Sequence, residues 1–482
     1  MDFMRQFFGF QSQQNRNQSV HNQLAPKKSF DRLGDLPLEI IIVISFALPL
    51  PALLALALTC RAYYHLCLPV LNHTVILTQQ NVRLFRAKIS SKDASLRMIQ
   101  RVQIGRLDRP GLGGPWDFLE IRDILAALPN VHALELCGVG YLRGWESVSQ
   151  ILEAIAHLRE LKTRVLHTES SSDATIDCKS SSMRSLDLTF VRPQKLLNVR
   201  LRGIPPSLSH GLPNLGSLHL EYFSHPNQED PPISPFFTTS HFPLLRTFSF
   251  STSKTVFLLS HELQALMTFL TRHSGTLVEL SLPQWYISCS TYSGMQAAFA
   301  SIPLQLRYLR TGCYLAAEFA PVAEWTVDHL YLLWVNNDDG RRRIDLLTQP
   351  SVDGVANPFP GGFGGTKTLT LRMACYRDTV LRLDHLPNVF PALEMLYMDI
   401  SYGLNDGMII FFRYRDALAQ CEQLKRVIIR GFGLGGEIRR VQTYEILRDS
   451  AGGIQSWIEE DERERYAVKG YRDDYWSNFS GY

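Results

Sequence analysis

The sequence has few cysteines and almost no imbalance of charge. Eight cysteines are scattered over 482 residues without a C-x-x-C pair, which excludes a dense disulfide scaffold and the usual zinc-finger spacings. The 49 basic and 46 acidic side chains leave a net charge of +3, too small for the electrostatic footprint of a nucleic-acid-binding protein. We therefore expect no nucleic-acid partner, no metal and no cofactor.

Catalytic signatures are also missing. The chain contains no G-x-S-x-G elbow, no H-E-x-x-H, no phosphate-binding G-x-x-x-x-G-K-[ST] and no kinase motif, and each of these arranges a nucleophile, metal or phosphate in a recognisable way. The sequence thus predicts a protein that is not an enzyme. Its length exceeds what one hydrophobic core supports, so two domains or an elongated repeat array are expected.

One apolar stretch is long enough to raise the question of a membrane span. Ile40 to Leu58 contains nineteen residues without a charge, the length of a transmembrane helix. Pro49 and Pro51 lie at its middle, where they break a helix, and about forty residues precede it, unlike a signal peptide. We predict two short buried helices, no membrane partner, and a cytoplasmic or nuclear location.

The composition divides the chain into five segments. Residues 1–32 are rich in Gln and Asn and are expected to form a disordered leader. Residues 33–77 form a helical block ending in a strand, 78–100 a linker, 101–431 a repeat array, and 432–482 a C-terminal cap or tail.

The helical block is unusually apolar. Helices are predicted from Pro37 to about Ala47, from Pro51 to about Thr59 and from Arg61 to about Leu68, with Pro69 ending the third. Three such short helices cannot bury all their apolar surface among themselves, so the block is expected to have a partner.

A second pattern, apolar-x-x-apolar-x-x-Leu-x-Leu, recurs further along the chain. It reads LPNVHALEL at 128–136, LPNLGSLHL at 212–220 and FPLLRTFSF at 242–250. Most copies are 21 to 39 residues apart, and the first step of 52 residues leaves room for a missed repeat. Strand-like units of this pattern are centred near residues 134, 186, 218, 248, 280, 309, 330, 369, 396 and 427.

Stretches with helical spacing of apolar residues precede several of these strands, at 117–129, 145–161 and 261–273. A repeated helix–strand unit predicts an α/β fold of a particular kind, an irregular leucine-rich-repeat solenoid (a horseshoe) with parallel strands. The alternative is an ordinary α/β domain with a parallel sheet, because periodic leucine also marks buried strands. After the last repeat, the charged stretch 457–466 is predicted to be helical, and the aromatic residues behind it to cap the array.

The helical block resembles the F-box. The family's opening appears as LPLEI at 36–40, its apolar helix as 41–48, its leucine-rich second helix as LLAL at 53–56, and its Thr-Cys-Arg element at 59–61. The whole chain is similar to fungal F-box proteins with degenerate leucine-rich repeats.

The resemblance implies binding rather than catalysis. F-box proteins are substrate receptors of SCF ubiquitin ligases: the F-box docks on the Skp adaptor, which joins it to the cullin scaffold, and the repeats hold a target, here an unknown protein. A leucine-rich scaffold acting outside a ligase is the alternative. For each predicted contact, the alternative is internal packing of the three-helix block. By the resemblance, the apolar adaptor contacts are Leu36, Pro37, Ile40, Leu48, Leu50, Leu53, Leu54 and Cys60, with Glu39 and Arg61 at their edge.

Target contacts are expected on the polar side of the strands. The residue between two core leucines of a Leu-x-Leu strand points away from the core. The candidates chosen on this basis are Glu135, Asp187, His219, Arg372 and Tyr397. Their mixed chemistry does not identify the target.

Overall fold

The structure is a computed structural model of the whole chain. It divides into two compact units, Met1–Leu71 and Asn72–Tyr482. The predicted leader at 1–32 and the aromatic end of the chain lie outside the described residues. The structure describes residues 36–78, 81–105, 118–136, 142–166, 180–191, 204, 208–223, 234–252, 256–258, 260–283, 285–287, 302–312, 325–333, 363–374, 386–401, 418–432, 438–448 and 454–461.

The first unit consists, in its described part, of α1 (Leu38–Ala47), α2 (Leu50–Thr59) and most of α3 (Arg61–His73). Pro37 and Pro49 have extended backbone immediately before α1 and α2. Proline lacks a backbone N–H, and this costs no hydrogen bond at the start of a helix, because the first N–H groups of a helix have no acceptor within it. The uncharged run therefore lies in two helices of ten residues each, separated by Leu48 and Pro49, as predicted. The helices are not fully buried as expected, because both expose apolar side chains. Within the described ranges, no helix is both long and apolar enough to cross a membrane.

The predicted end of the third helix at Leu68 is wrong. Helix α3 continues through Pro69 to His73, although proline removes one helical hydrogen bond. Val70 and Leu71 pack against the core of the first unit, formed by Leu53, Ala57 and Cys67. This packing holds the last turn of α3 in place despite the proline.

The boundary between the helical block and the repeats also differs from the prediction. β1 (Thr74–Leu77) belongs to the second unit and pairs in parallel with β2 (Arg101–Ile104). The predicted linker 78–100 contains α4 (Val82–Ser90) and a 3₁₀ helix (Ala94–Met98). Val82, Phe85 and Leu96 of this segment are part of the second unit's core. Val82 and Phe85, three residues apart on α4, have the spacing of an amphipathic helix, which the assignment as a linker overlooked.

The second unit is built on a long open sheet of sixteen strands among the described residues. Its strands follow one another in chain order and are parallel from β1 to β16. β4 pairs with β5 off the main path, and β9 pairs with β11 in a separate two-stranded sheet. The remaining bounds are β3 (Ala133–Leu136), β4 (Leu142–Arg143), β5 (Glu160–Leu166), β6 (Ser185–Val191), β7 (Ser217–Phe223), β8 (Thr247–Thr252), β9 (Val256–Leu258), β10 (Glu279–Ser281), β11 (Trp285–Ile287), β12 (Gln305–Gly312), β13 (Thr326–Leu333), β14 (Thr368–Ala374), β15 (Met395–Ser401), β16 (Arg426–Phe432), β17 (Ile438–Arg448) and β18 (Ile454–Asp461).

Helices lie between several strands, and the three predicted ones are present. The second of them ends earlier than predicted, at Ala154, and Glu160 already begins β5. β5 is the repeat that the 52-residue step left room for. The helices of the second unit after α4 are α5 (Phe118–Ala126), α6 (Gly144–Ala154), α7 (Leu208–Gly211), α8 (Ser234–Thr239), α9 (Ser260–His273) and α10 (Leu386–Val389).

The recurring leucines form one buried row across the sheet. In the parallel register, the first leucine of each Leu-x-Leu unit lies beside that of the next strand, and every member is at most 2% exposed. This explains the periodicity of the sequence, since each strand supplies one side chain to the same line of the core. From β3 to β16 the row is Leu134, Leu161, Leu186, Leu218, Phe248, Leu280, Leu309, Leu330, Leu369, Leu396 and Val427.

The C-terminal end of the sheet turns antiparallel. β17 pairs with β16, and β18 pairs with β17. The predicted helix at 457–466 is therefore wrong over 457–461, which belong to β18. Tyr444 and Ile446 of β17 extend the core beyond the last parallel strand, and the edge of β17 supplies the backbone hydrogen-bond partners of β18.

Candidate functional site

The first unit exposes a concentrated apolar surface. Among the described residues, eleven large hydrophobic side chains are exposed, and six of them lie between residues 36 and 58. Val43 is 64% exposed and Leu58 69%. We call these six residues the apolar face: Leu36, Leu38, Ile40, Val43, Phe46 and Leu58.

Helix α1 is apolar on both of its sides. Its inner side carries Ile41 and Ser45, both buried, and the Ser45 hydroxyl donates a hydrogen bond to the Ile41 carbonyl at 2.8 Å. Its outer side carries Ile40, Val43 and Phe46, which recur at intervals of three residues along one side of the helix. A helix that is apolar all round is normally covered on every side, so the outer side of α1 is typical of a helix with a partner.

The predicted adaptor residues fall into three groups. Leu53 is 4% exposed and packs inside the unit beside Cys67, so its prediction as an adaptor contact is corrected: it faces α3. Leu48 and Leu54 are half-buried, and the side chain of Leu50 lies outside the described residues. The exposed members are Leu36, Pro37, Glu39, Ile40, Cys60 and Arg61.

Two details of this unit concern its cysteines. Cys60 precedes α3, and its Sγ accepts a hydrogen bond from the Tyr63 backbone N–H at 3.5 Å, in the manner of a helix cap. Burial raises the pKa of the Cys67 thiol, and the hydrogen bond from Ser45 only partly opposes this rise. Cys67 therefore acts as a small core residue.

The sequence reasoning missed four members of the apolar face: Leu38, Val43, Phe46 and Leu58. The signal for Val43 and Phe46 was present, because they share the outer side of α1 with Ile40. On α2, the predicted residues Leu50, Leu53 and Leu54 followed from the resemblance to the F-box and not from the side of the helix on which each residue lies.

A second candidate surface is the polar side of the long sheet. The residues between the paired core positions form a single register row, which we call the middle row. Glu135, Asp187, His219 and Tyr397 lie in it, as predicted for the x position. In order the middle row is Glu135, Lys162, Asp187, His219, Ser249, Ser281, Arg310, Tyr331, Thr370 and Tyr397.

Arg372 does not lie in the middle row. The x position of its strand is Thr370, and Arg372 lies two residues further on the same side, beside Asp399 of β15. The five predicted residues also do not form one cluster. Glu135, Asp187 and His219 lie near one another, whereas Tyr397 is on the order of 30 Å further along the sheet, at about 4.8 Å per strand.

The N-terminal part of the polar side carries three carboxylates, Glu135, Asp187 and Glu221, the last of them outside the middle row and two residues beyond His219, and we call this region the acidic part. Lys162 forms an ion pair with Glu135 at 3.1 Å. Beside Asp187, Glu221 is 8% exposed and accepts a hydrogen bond from the Thr189 hydroxyl at 3.1 Å. Burial raises the pKa of Glu221 to about 7, with the Thr189 hydrogen bond opposing the rise and the charge of Asp187 adding to it.

The C-terminal part carries a connected group of aromatic and charged residues, the Arg–Tyr cluster, consisting of Arg310, Tyr331, Tyr397, Asp399 and Arg430. Asp399 is fully buried and accepts hydrogen bonds from Arg430 Nε at 2.6 Å and Nη2 at 2.9 Å. The Tyr331 hydroxyl donates to the same carboxylate at 3.0 Å. Arg310 and Arg430 each lie 5.1 Å from the centre of a tyrosine ring, Tyr331 and Tyr397 respectively.

His329, which precedes the buried Leu330 in β13, packs against the Arg–Tyr cluster. Its ring lies 5.0 Å from that of Tyr308 and 6.3 Å from that of Tyr397, and its Nε2 is 2.9 Å from the Thr370 hydroxyl. Burial lowers the pKa of His329 to about 4, and the positive charge of Arg430 adds to the effect. At neutral pH the ring is therefore uncharged. Tyr331 and Arg430 of the cluster are buried, and Arg310 and Tyr397 are half-buried at the surface.

Neither surface has the chemistry of a metal centre. Across the ranges that the structure describes, no group of three or more His, Cys, Asp or Glu side chains is placed to hold a metal ion. The comparisons with known proteins add no assignment: no family model matches the chain, and no curated protein matches it.

Proposed function

We propose that the chain is a substrate-recognition subunit of an SCF-type ubiquitin ligase. In this proposal the first unit is an F-box that docks on the Skp adaptor and thereby on the cullin scaffold. The second unit is a leucine-rich-repeat solenoid that holds a target protein. The chain contributes binding and no catalysis, and it works in the cytoplasm or nucleus.

The apolar face is the observation that carries the proposal. Six exposed large hydrophobic side chains on one small helical unit are typical of a surface that a partner covers. The same residues carry the LPLEI motif that resembles the F-box. Exposed Glu39 and Arg61 supply polar groups beside the apolar residues, which is the usual anatomy of a protein–protein interface.

The reading of the second unit as leucine-rich repeats is supported by the buried row. One helix–strand unit after another contributes a leucine or its equivalent to the same line of the core, with parallel pairing throughout β1–β16. Repeat proteins grow by this kind of addition, in which each unit packs against its neighbours along the chain.

For the target, the favoured contacts are the half-buried members of the Arg–Tyr cluster, Arg310 and Tyr397, which lie against the buried Tyr331 and Arg430. Tyrosine and arginine dominate the binding energy of protein interfaces, and they do so best when they are held in place before binding. The hydrogen bonds to Asp399 hold both Tyr331 and Arg430. Glu135, Asp187 and His219 would then lie at the margin of the target contact.

A pull-down with purified Skp adaptor tests the proposal. The variant Val43→Ser/Phe46→Ser removes two members of the apolar face without touching the buried side of α1. Its matched control, Leu84→Ser/Leu244→Ser, removes two exposed leucines of the second unit. We expect the wild type and the control to bind the adaptor and the Val43/Phe46 variant to lose most of its binding.

The alternative, a leucine-rich scaffold acting outside a ligase, predicts a different set of results. A well-folded wild type that does not bind the adaptor would overturn the F-box assignment. Adaptor binding without any change in the turnover of a bound target in cells would retain the F-box but favour the scaffold.

A further inference from the structure

A line of arginines follows the side of the long sheet at which the parallel strands begin. Arg159, Arg184 and Arg246 stand immediately before β5, β6 and β8, and Arg307 occupies the corresponding register position in β12. Gly216 and Val278 fill the same position before β7 and β10. We call these four arginines the arginine row.

Backbone hydrogen bonds place these six positions side by side. The N–H groups of Arg184, Gly216, Arg246, Val278 and Arg307 each donate to the carbonyl of the preceding member of the series, at 2.8 Å in every case. With one member per strand and about 4.8 Å between strands, the series spans on the order of 24 Å.

The four arginine side chains are exposed. Arg184 donates to two backbone carbonyls, those of Asn214 at 3.2 Å and Ser181 at 3.4 Å. Within the described part of the chain, the side chains of Arg159, Arg246 and Arg307 have neither an ion pair nor a hydrogen bond. The fold therefore does not depend on these three guanidinium groups.

Three carboxylates on the strands lie next to the series, and one of them, exposed Asp328 of β13, takes the next register position beside Arg307. Glu160, next to Arg159, pairs with Arg101 at 2.7 Å. Glu279, next to Val278, accepts a hydrogen bond from the Thr247 hydroxyl at 3.3 Å. Of these three carboxylates only Glu160 is paired with another cation, so the four arginines keep an excess of positive charge on a chain whose net charge is only +3. Such an excess attracts a partner of opposite charge.

We propose that the arginine row binds an acidic, extended segment of a partner protein that carries an apolar residue. Val278 is 37% exposed within the series, and Leu244, 51% exposed, stands two residues before Arg246, so an apolar side chain has contacts there. An extended segment of about eight residues covers the span at about 3.3 Å per residue. No aromatic side chain stands in the series to stack a base, which disfavours single-stranded nucleic acid.

This inference does not depend on the assignment as an F-box protein, because the arginine row shares no residue with the apolar face or with the Arg–Tyr cluster.

Fluorescence anisotropy with the full chain tests the proposal. The probe is a labelled peptide of about twelve residues, all glutamate except for one central leucine. The variant Arg159→Glu/Arg246→Glu/Arg307→Glu reverses three arginines of the row. The control variant, Arg83→Glu/Arg97→Glu/Arg122→Glu, reverses three other exposed arginines of the second unit.

We expect the row variant to bind the peptide about tenfold or more weakly than the wild type, and the control to bind within about threefold of it. Val278→Ser should weaken binding of the leucine-containing peptide but not of an all-glutamate peptide. Absence of wild-type binding would overturn the proposal, as would an equal loss in both triple variants. Tighter binding of single-stranded DNA of similar length would overturn it in favour of a nucleic-acid site.

Discussion

The two units of the chain treat their apolar residues in opposite ways. The second unit places its leucines in a buried row that runs through the sheet from strand to strand. The first unit, with a core of Leu53, Ala57 and Cys67, leaves the residues of the apolar face exposed. Apolar residues therefore stabilise the fold of one unit and remain available for a partner on the other. A similar contrast exists within the sheet, between its acidic N-terminal part and the Arg–Tyr cluster.

The largest expected effect is the difference in stability between two alanine variants, one at a buried phenylalanine of the second unit and one at an exposed phenylalanine of the first. Phe248 is fully buried in the leucine row, and Phe46 is 55% exposed on α1. Phe248→Ala should lower the free energy of unfolding by about 4 kcal/mol, because it leaves a cavity in the core. Phe46→Ala should lower it by less than about 1 kcal/mol while weakening adaptor binding. Denaturant unfolding followed by circular dichroism measures both, and equal destabilisation would contradict the contrast between the units.

Removing the carboxylate of the Arg–Tyr cluster should have the next largest effect. Asp399→Ala leaves Arg430 buried without its bidentate partner and Tyr331 without its acceptor, so we expect a loss of about 3 kcal/mol in stability. The control is Asp187→Ala in the acidic part, for which a loss of about 1 kcal/mol or less is expected. A stable Asp399→Ala variant with unchanged target binding would show that the cluster does not organise this surface.

The acidic part offers a pH-dependent test. The pKa of Glu221 is raised from its usual value of 4.5 to about 7 in the folded chain. Ionisation therefore opposes folding, and the corresponding stability is present below pH 4.5 and lost as the pH rises through 7. Glu221→Gln should leave stability unchanged near pH 4 and increase it by about 2 kcal/mol at pH 8. A Thr189→Val control, which removes the hydrogen bond to the carboxylate, should not stabilise at pH 8.

The smallest effect concerns a buried hydroxyl. Tyr222 stacks on Phe190, with ring centres 4.5 Å apart, and packs against the tilted ring of Phe250 at 5.7 Å. Its hydroxyl is buried and has no hydrogen-bond partner among the described residues. Tyr222→Phe should be neutral or raise the free energy of unfolding by up to about 1 kcal/mol, because it removes a desolvated polar atom. A clear destabilisation, measured by the midpoint of unfolding, would mean that the hydroxyl makes a contact that stabilises the fold.

Much of the fold could be predicted because it repeats. The spacing of Leu134, Leu186 and Leu218 indicates strands by itself, since a parallel sheet with one buried row needs the same side chain from each strand. β5 was missed because its sequence, ELKTRVL, has only one leucine at the expected place. Local rules predict that Pro69 ends a helix, but packing against the core of the first unit continues α3 beyond it. Local rules also predict a charged helix at 457–466, but pairing with β17 makes residues 457–461 part of a strand.

The candidate sites were predictable only in part. Successive side chains of a strand point to opposite faces of the sheet, so the sequence alone places Glu135, Asp187, His219 and Tyr397 on the polar face. Arg372 was assigned to the wrong row although it follows Leu371, because the x position of Leu369-x-Leu371 is Thr370 in the sequence itself. The link between Asp399 and Arg430 joins residues 31 positions apart, and nothing in the local pattern marks them as a pair. On α1, helical phase alone would have found Val43 and Phe46.

The most direct test of the account is a calorimetric titration of the folded full-length chain with purified Skp adaptor, repeated at several temperatures. The account predicts binding with a negative change in heat capacity, the signature of burying apolar surface, and loss of that signal in Val43→Ser/Phe46→Ser. A folded wild-type chain that releases or absorbs no heat with the adaptor at any temperature would contradict it.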